Sequence, residues 1–302
     1  MKPKTRATLF ALLAAALYAV NSPMSKLLLT RIPATMMAGF LYLGAGTGIF
    51  LFGRIRKAVG KGHAESPLTR KELPFTVGMV VLDIAAPVCL MLGLTKTTAA
   101  NASLLNNFEI AATAVIALLV FKEAISPRLW GGIACVTLAC AMLSFEDMAS
   151  LSFSWGSLLV LLAAACWGLE NNCTRMLSAK DPLQIVTIKG IFSGLGSLAI
   201  ALLTGERYFD MLYMLLAMLL GFVAYGLSIF FYIYAQRNLG AARTSAYYAV
   251  APFIGAALSF LVFREVPSGV FLAAFGIMLL GAYLATEKDG QGLQGECGDG
   301  SD

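Results

Sequence analysis

Charge is scarce in this sequence: Asp, Glu, Lys and Arg make up 13% of its 302 residues while 59% are hydrophobic, against about a quarter charged in an ordinary soluble domain. Water cannot be kept from that much apolar surface, so a soluble globular fold is excluded. Histidine is scarcer still. With His63 alone, neither a Ser-His protease nor a His-Glu-x-x-His zinc site can be assembled. There is no Cys-x-x-Cys pair. Cys89, Cys135, Cys140, Cys166 and Cys173 fall inside apolar runs, where a thiol acts as a small packing residue, and Cys297 sits in a polar tail. No Gly-x-x-x-x-Gly-Lys loop is present to cradle nucleotide phosphates, which excludes ATP-driven pumping by this chain. Asp83 is the one deep aspartate, so the pair an intramembrane aspartyl protease needs is missing. The expectation is no enzyme, no cofactor and no metal.

What the sequence has instead is long apolar runs. A bilayer core about 30 Å thick takes roughly 20 apolar residues in a helix, because only helices and closed barrels satisfy every backbone group without water. Ten runs meet that test, near 7–29, 34–53, 73–94, 97–120, 128–145, 154–177, 183–203, 211–236, 240–263 and 268–286, with Pro33, Pro127, Pro182 and Pro267 in the connections. The first follows Lys2, Lys4 and Arg6 but continues to Leu29, longer than a cleaved leader. The predicted fold class is an all-α membrane protein with a short N-terminus at 1–6 and a polar tail at 287–302.

The net charge of +5 reports orientation rather than nucleic acid. Lys and Arg collect on the cytoplasmic side of membrane proteins, and with the N-terminus inside, sixteen fall on that side against four on the other. Both termini are then cytoplasmic, in a cell (inner) membrane. The basic connection at 54–72, which holds His63, reads as part of this signal and as a contact for anionic lipid.

The chain also repeats itself. Leu12-Leu-Ala-Ala-Ala-Leu-Tyr18 aligns with Leu161-Leu-Ala-Ala-Ala-Cys-Trp167, and without a gap Asn21 pairs with Glu170, Ser25 with Thr174 and Pro33 with Pro182. Ala99-Ala100-Asn101-Ala102-Ser103 aligns with Ala241-Ala242-Arg243-Thr244-Ser245, and Leu119-Val-Phe-Lys-Glu123 with Leu261-Val-Phe-Arg-Glu265. The halves are 7–145 and 154–286. Five helices per half is an odd number, so the second half enters the membrane from the opposite side, giving the inverted repeat that secondary transporters use for alternating access.

An Ala-Ala-x-x-Ser helix start followed some twenty residues on by Phe-(Lys/Arg)-Glu, in both halves, resembles the EamA-type members of the drug/metabolite transporter superfamily. The likeness spans roughly 7–286. It implies a five-plus-five helix fold, a central cavity, and export or exchange of amino acids, nucleobases or related metabolites. The family's repeats carry a proline midway in the fourth helix; Pro252 fits, whereas the first half has Ile110 with Glu109 beside it.

Ionisable groups at membrane depth are costly and mark function. Glu109 heads them: with Asn106 and Thr113 it forms an i, i+3, i+7 stripe on one helix face. Asp83 lies halfway along the third helix, opposite its repeat counterpart Tyr225, which begins a stripe with Ser228 and Tyr232; Tyr248 matches Asn106. Glu109, with Asp83, is expected to bind a cationic or amino group of a small-molecule substrate, or to take up a coupling proton; the competing role is polar glue between helices. Trp167, Glu170, Asn171 and Thr174 share one face of the sixth helix, as Tyr18, Asn21, Ser22 and Ser25 do on the first, and both faces suit a pathway. Glu170 and Lys189 fall at similar depth, which allows an ion pair serving as a structural tie or a gate. Lys26 is expected to snorkel to the headgroups. Gly44/Gly48, Gly131/Cys135/Ala139 and Gly190/Gly194 suit close helix packing. The partners expected are the bilayer and a small polar metabolite, with proton-coupled efflux of an organic cation as the alternative and a channel or structural subunit behind it. Ten helices complete a pathway in one chain, as a monomer or within a homodimer.

Overall fold

The computed structural model describes residues 3–59, 66–122, 125–147, 152–177, 180–239, 244 and 247–285. His63, Arg243, Ser245 and the tail at 287–302 lie outside them. The described chain is helical apart from a short antiparallel ribbon, β1 (Phe145–Asp147) with β2 (Ser152–Phe153), that pairs Phe145 with Phe153 between the two halves. In the first half the helices are α1 (Pro3–Ala19), α2 (Asn21–Leu28), α3 (Ala34–Ala58), α4 (Leu73–Lys96), α5 (Ala99–Leu105), α6 (Phe108–Phe121) and α7 (Pro127–Ser144). The second half has α8 (Trp155–Met176), α9 (Pro182–Leu203), α10 (Met211–Gly221), a π-helical stretch Phe222–Leu227, α11 (Ser228–Leu239), α12 (Ala251–Phe263) and α13 (Gly269–Ala285).

Sequence chemistry explains where the helices start and stop. Ser126, Asp181 and Ser154 accept the N–H of Leu129, Leu183 and Ser157, and Pro127 and Pro182 follow as first helical residues whose missing N–H costs nothing. Lys122 and Arg264, the basic residues of the two Phe-(Lys/Arg)-Glu motifs, end α6 and α12 in the left-handed conformation at φ 58° and 54°. Equivalent positions of the two halves therefore stop the chain by the same device.

Two expected single helices are broken. The run 7–29 divides at Val20, and the run 97–120 divides at Asn106–Asn107, where the N–H groups of Asn107, Glu109 and Ile110 bond three residues back instead of four. Seven helical runs among the described residues are long and apolar enough to cross a membrane: Thr5–Leu28, Ala34–Ala58, Arg70–Lys96, Ala99–Val120, Pro127–Ser144, Pro182–Leu203 and Met211–Ala235. Helix α8 has 22 residues, while α12 and α13 are apolar helices of 13 and 17.

Packing interleaves the halves. The most extensive contacts, α3 with α9, α4 with α8, α7 with α13, α1 with α11 and α6 with α8, each join a helix before β1 to one after β2. At the α3–α9 crossing, a methyl group on Gly190 would lie 2.3 Å from the Gly46 nitrogen; where α3 meets α10, one on Gly44 would lie 1.9 Å from the Met218 carbonyl oxygen. Only hydrogen fits at these points, which lets the backbones touch. Gly194 packs on Leu43 and Gly48 on Phe222 in the same way. Glu206, between α9 and α10, caps the start of α3 by accepting from the Thr35 hydroxyl (3.0 Å) and the Met36 N–H (3.0 Å). Lys26, expected to snorkel to the headgroups, has acceptors within the protein. Its ammonium donates to the carbonyls of Leu94 and Thr97 (2.8 Å for Thr97), tying α2 to the end of α4, because those terminal carbonyls have no helical partner of their own. Cys89, Cys135, Cys140, Cys166 and Cys173 are free thiols.

Candidate functional site

Three elements bring opposite charges together deep among the helices. Lys189 of α9 lies 3.0 Å from Asp83 Oδ2 of α4 and 3.0 Å from Glu170 Oε1 of α8. The Glu170–Lys189 pair follows the depths predicted for it, and Asp83 joins as a third member. Asp83 is 0% exposed and Glu170 2%, so each carboxylate needs its partners. The second oxygen of Asp83 accepts from the Tyr42 hydroxyl at 2.9 Å, and that hydroxyl accepts from the Trp167 indole at 3.2 Å. Thr174, one turn beyond Glu170, donates to the carboxylate that binds Lys189. Tyr42 is a member that sequence reasoning missed. The available signal was a hydroxyl near mid-span of a glycine-rich helix, where it needs a partner.

Glu109 sits one step away. Asn171, the residue after Glu170, donates its amide N–H to Glu109 Oε1 at 2.6 Å and to the Thr113 hydroxyl at 3.3 Å, while the Asn172 amide reaches the Thr113 carbonyl at 3.2 Å. Glu109 and Thr113 thus share a face, as their spacing predicts. Asn106 does not share it. The break at Asn106–Asn107 turns α5 relative to α6, and Asn106 instead lines a small cavity with Ser103 and Tyr18.

A cluster of phenol rings flanks the acids. Tyr225, inside the π-helical stretch, accepts from the Asn21 amide at 2.9 Å and lies with its ring 5.2 Å from Tyr42 and 5.9 Å from Tyr18. Such stretches often mark functional positions because they re-aim one side chain. Tyr248 is 3.3 Å from the Ser228 hydroxyl, and its ring is 5.7 Å from Tyr18 and 5.0 Å from Tyr232. Asp83, Glu170, Lys189, Glu109, Asn171, Trp167, Asn21, Tyr225, Tyr248 and Tyr232 therefore form two adjoining groups, one ionic and one aromatic. A larger groove of about 380 Å³, lined by Gly48, Leu51, Phe52, Leu215, Leu219 and Phe222, lies between α3 and α10 and holds no acid.

Chemically, the cluster sets three carboxylates against one ammonium. Among the described residues, Lys189 is the one cation in contact with Asp83, Glu170 or Glu109. Such an arrangement can neutralise charge among the helices.

An uncharacterized transporter of Methanothermobacter thermautotrophicus (strain Delta H) is 27% identical over 279 residues, an overlap covering 87% of this chain and 80% of that protein. A solved crystal structure shares the fold with a TM-score of 0.67 at 16% identity, across 93% of this chain and 95% of its own. The family model described as the EamA-like transporter family matches residues 5–145 and again 154–286. With two family matches that together span nearly the whole chain, and helices built to cross a bilayer, this multi-pass membrane protein belongs to the EamA-like transporter family.

Proposed function

We propose that the protein is a secondary active transporter that exports or exchanges a small polar metabolite bearing a positively charged amino group, an amino acid being the simplest, by alternating access. Ten membrane-crossing helices in two inverted halves, 7–145 and 154–286, carry it, with both termini in the cytoplasm of an inner membrane. The paired left-handed stops at Lys122 and Arg264 and the interleaved packing of the halves support that architecture. One observation carries the substrate reading: the excess of carboxylates over cations in the cluster of Asp83, Glu170, Glu109 and Lys189. Unpaired charge at that depth costs several kcal/mol, and an incoming ammonium group relieves it. Glu109 is the natural contact, since its one hydrogen-bond donor in the cluster, Asn171, is neutral and Lys189 is engaged by Asp83 and Glu170.

The cluster of phenol rings favours a second reading, proton-coupled efflux of an organic cation, because aromatic faces attract cations. Proteoliposomes separate the two. Uptake of labelled amino acids is compared with that of a quaternary ammonium dye, for the native protein and for Glu109→Gln, which retains an acceptor for Asn171. Saturable amino acid flux that falls about tenfold or more in the variant, the value of one charge-assisted contact, supports the first reading. Dye flux driven by a pH gradient supports the second. Flux of either kind that is indifferent to Glu109→Gln refutes the role of Glu109.

A further inference from the structure

The repeat that places Glu109, Thr113 and Asn171 together has a counterpart elsewhere in the chain. Under the same pairing Glu109 corresponds to Ala251, Thr113 to Gly255, Asn171 to Ser22 and Trp167 to Tyr18. Tyr18, Ser22, Ala251 and Gly255 do meet, around a cavity of about 10 Å³ that Ala19, Ser103 and Asn106 complete. That is room for one particle of the size of a water molecule. No acid and no base lines it.

Oxygen atoms line it instead. Ser103 Oγ and Asn106 Oδ1 have no hydrogen-bond partner, although these residues are 3% and 6% exposed. The Ala19 carbonyl lacks its usual helical donor for a covalent reason: the residue four positions on is Pro23, which has no N–H to give it. Ala19 O and Ser103 Oγ face the same space, since a methyl group on Gly255 would lie 3.1 Å from one and 2.9 Å from the other. Both helix interruptions also lie here: α1 stops at Ala19 and α5 at Leu105, where terminal carbonyls lose helical donors. Helix α12 starts at the same cavity but offers few donors. Pro252 has no N–H, and those of Phe253 and Ile254 go to the Val250 carbonyl.

We infer that this cavity is a binding site for a sodium ion. Neutral oxygens at the ends of broken helices hold monovalent cations in other transporters; a divalent ion would demand carboxylates. The site is independent of the Glu109 group and does not rest on what the protein carries.

The test uses purified full-length protein in detergent, melted in NaCl, KCl or choline chloride at equal ionic strength. Sodium at ten times its dissociation constant is expected to raise the midpoint by about 3 °C, saturably, with potassium and choline inert. Ser103→Ala is expected to abolish the difference. Pro23→Ala, which supplies the N–H that the Ala19 carbonyl lacks, weakens it by a separate route and serves if Ser103→Ala does not fold. Equal melting of the native protein in sodium and choline overturns the inference and leaves a site for a single water. So does a sodium shift retained in both variants.

Discussion

Replacing Lys189 by Met tests the ionic cluster most directly. The variant keeps the length of the side chain and removes its charge, leaving Asp83 and Glu170 without their shared cation. Each carboxylate oxygen lies 3.0 Å from the lysine nitrogen, so the two oxygens are at most about 6 Å apart, and at an effective dielectric constant of 20 they repel by about 3 kcal/mol. Breaking a buried pair by removing one partner costs about 3–5 kcal/mol on other grounds, and the two figures agree. For a chain of this size a loss of about 3–5 kcal/mol is a fall of about 5–8 °C in melting temperature. The assay is thermal unfolding in detergent, read by intrinsic fluorescence. A second variant makes the reasoning strict: adding Asp83→Asn to Lys189→Met removes one of the stranded charges while the new amide keeps an oxygen for the Tyr42 hydroxyl, and about half of the loss should return. If Lys189→Met melts with the native protein, or if the double variant is no better than the single one, repulsion between stranded carboxylates is not what the lysine prevents.

Two further outcomes concern the backbone. Gly44→Ala drives a methyl group to 1.9 Å from the Met218 carbonyl oxygen and should cost about 1–3 kcal/mol, whereas Gly276→Ala in α13, with nothing within 4 Å of the new carbon, should gain about 0.5–1 kcal/mol; unfolding in mixed micelles compares them, and equal effects would refute the α3–α10 contact. Lys122→Gly and Arg264→Gly relieve the left-handed conformation at φ 58° and 54° and should each stabilise by about 0.5 kcal/mol in the same assay; destabilisation by both would mean that the basic side chains matter more than the turn.

The helices were legible because hydropathy is a local property. Starts at Pro127 and Pro182 and the stop at Phe263 follow from residues a few positions apart. The break at Val20 had a local signal that the hydropathy reading passed over, since Pro23 has no N–H for the Ala19 carbonyl, whereas the break at Asn106–Asn107 lies in a run with no proline or glycine to mark it. The same reason separates the candidate residues. Glu109 and Thr113 lie on one unbroken helix, so their spacing predicts their shared partner. Asn106 lies beyond a break, so its spacing does not. Glu170 and Lys189 could be matched by counting residues from a shared membrane face, while Asp83 could not, since nothing local says that α4 packs on both α8 and α9.

The interleaving of the two halves has a consequence for how the chain is made. Asp83 leaves the ribosome roughly 100 residues ahead of Lys189, which at 5–20 residues per second is about 5–20 s of synthesis. Through that interval α4 carries an acid whose counter-ion does not yet exist, and Tyr225, the partner of Asn21, comes later still. The newborn first half cannot settle into lipid with its final contacts made. It must wait beside the insertion machinery, or hold its acid protonated, until α9 arrives to close the cluster, so assembly of the second half completes the first.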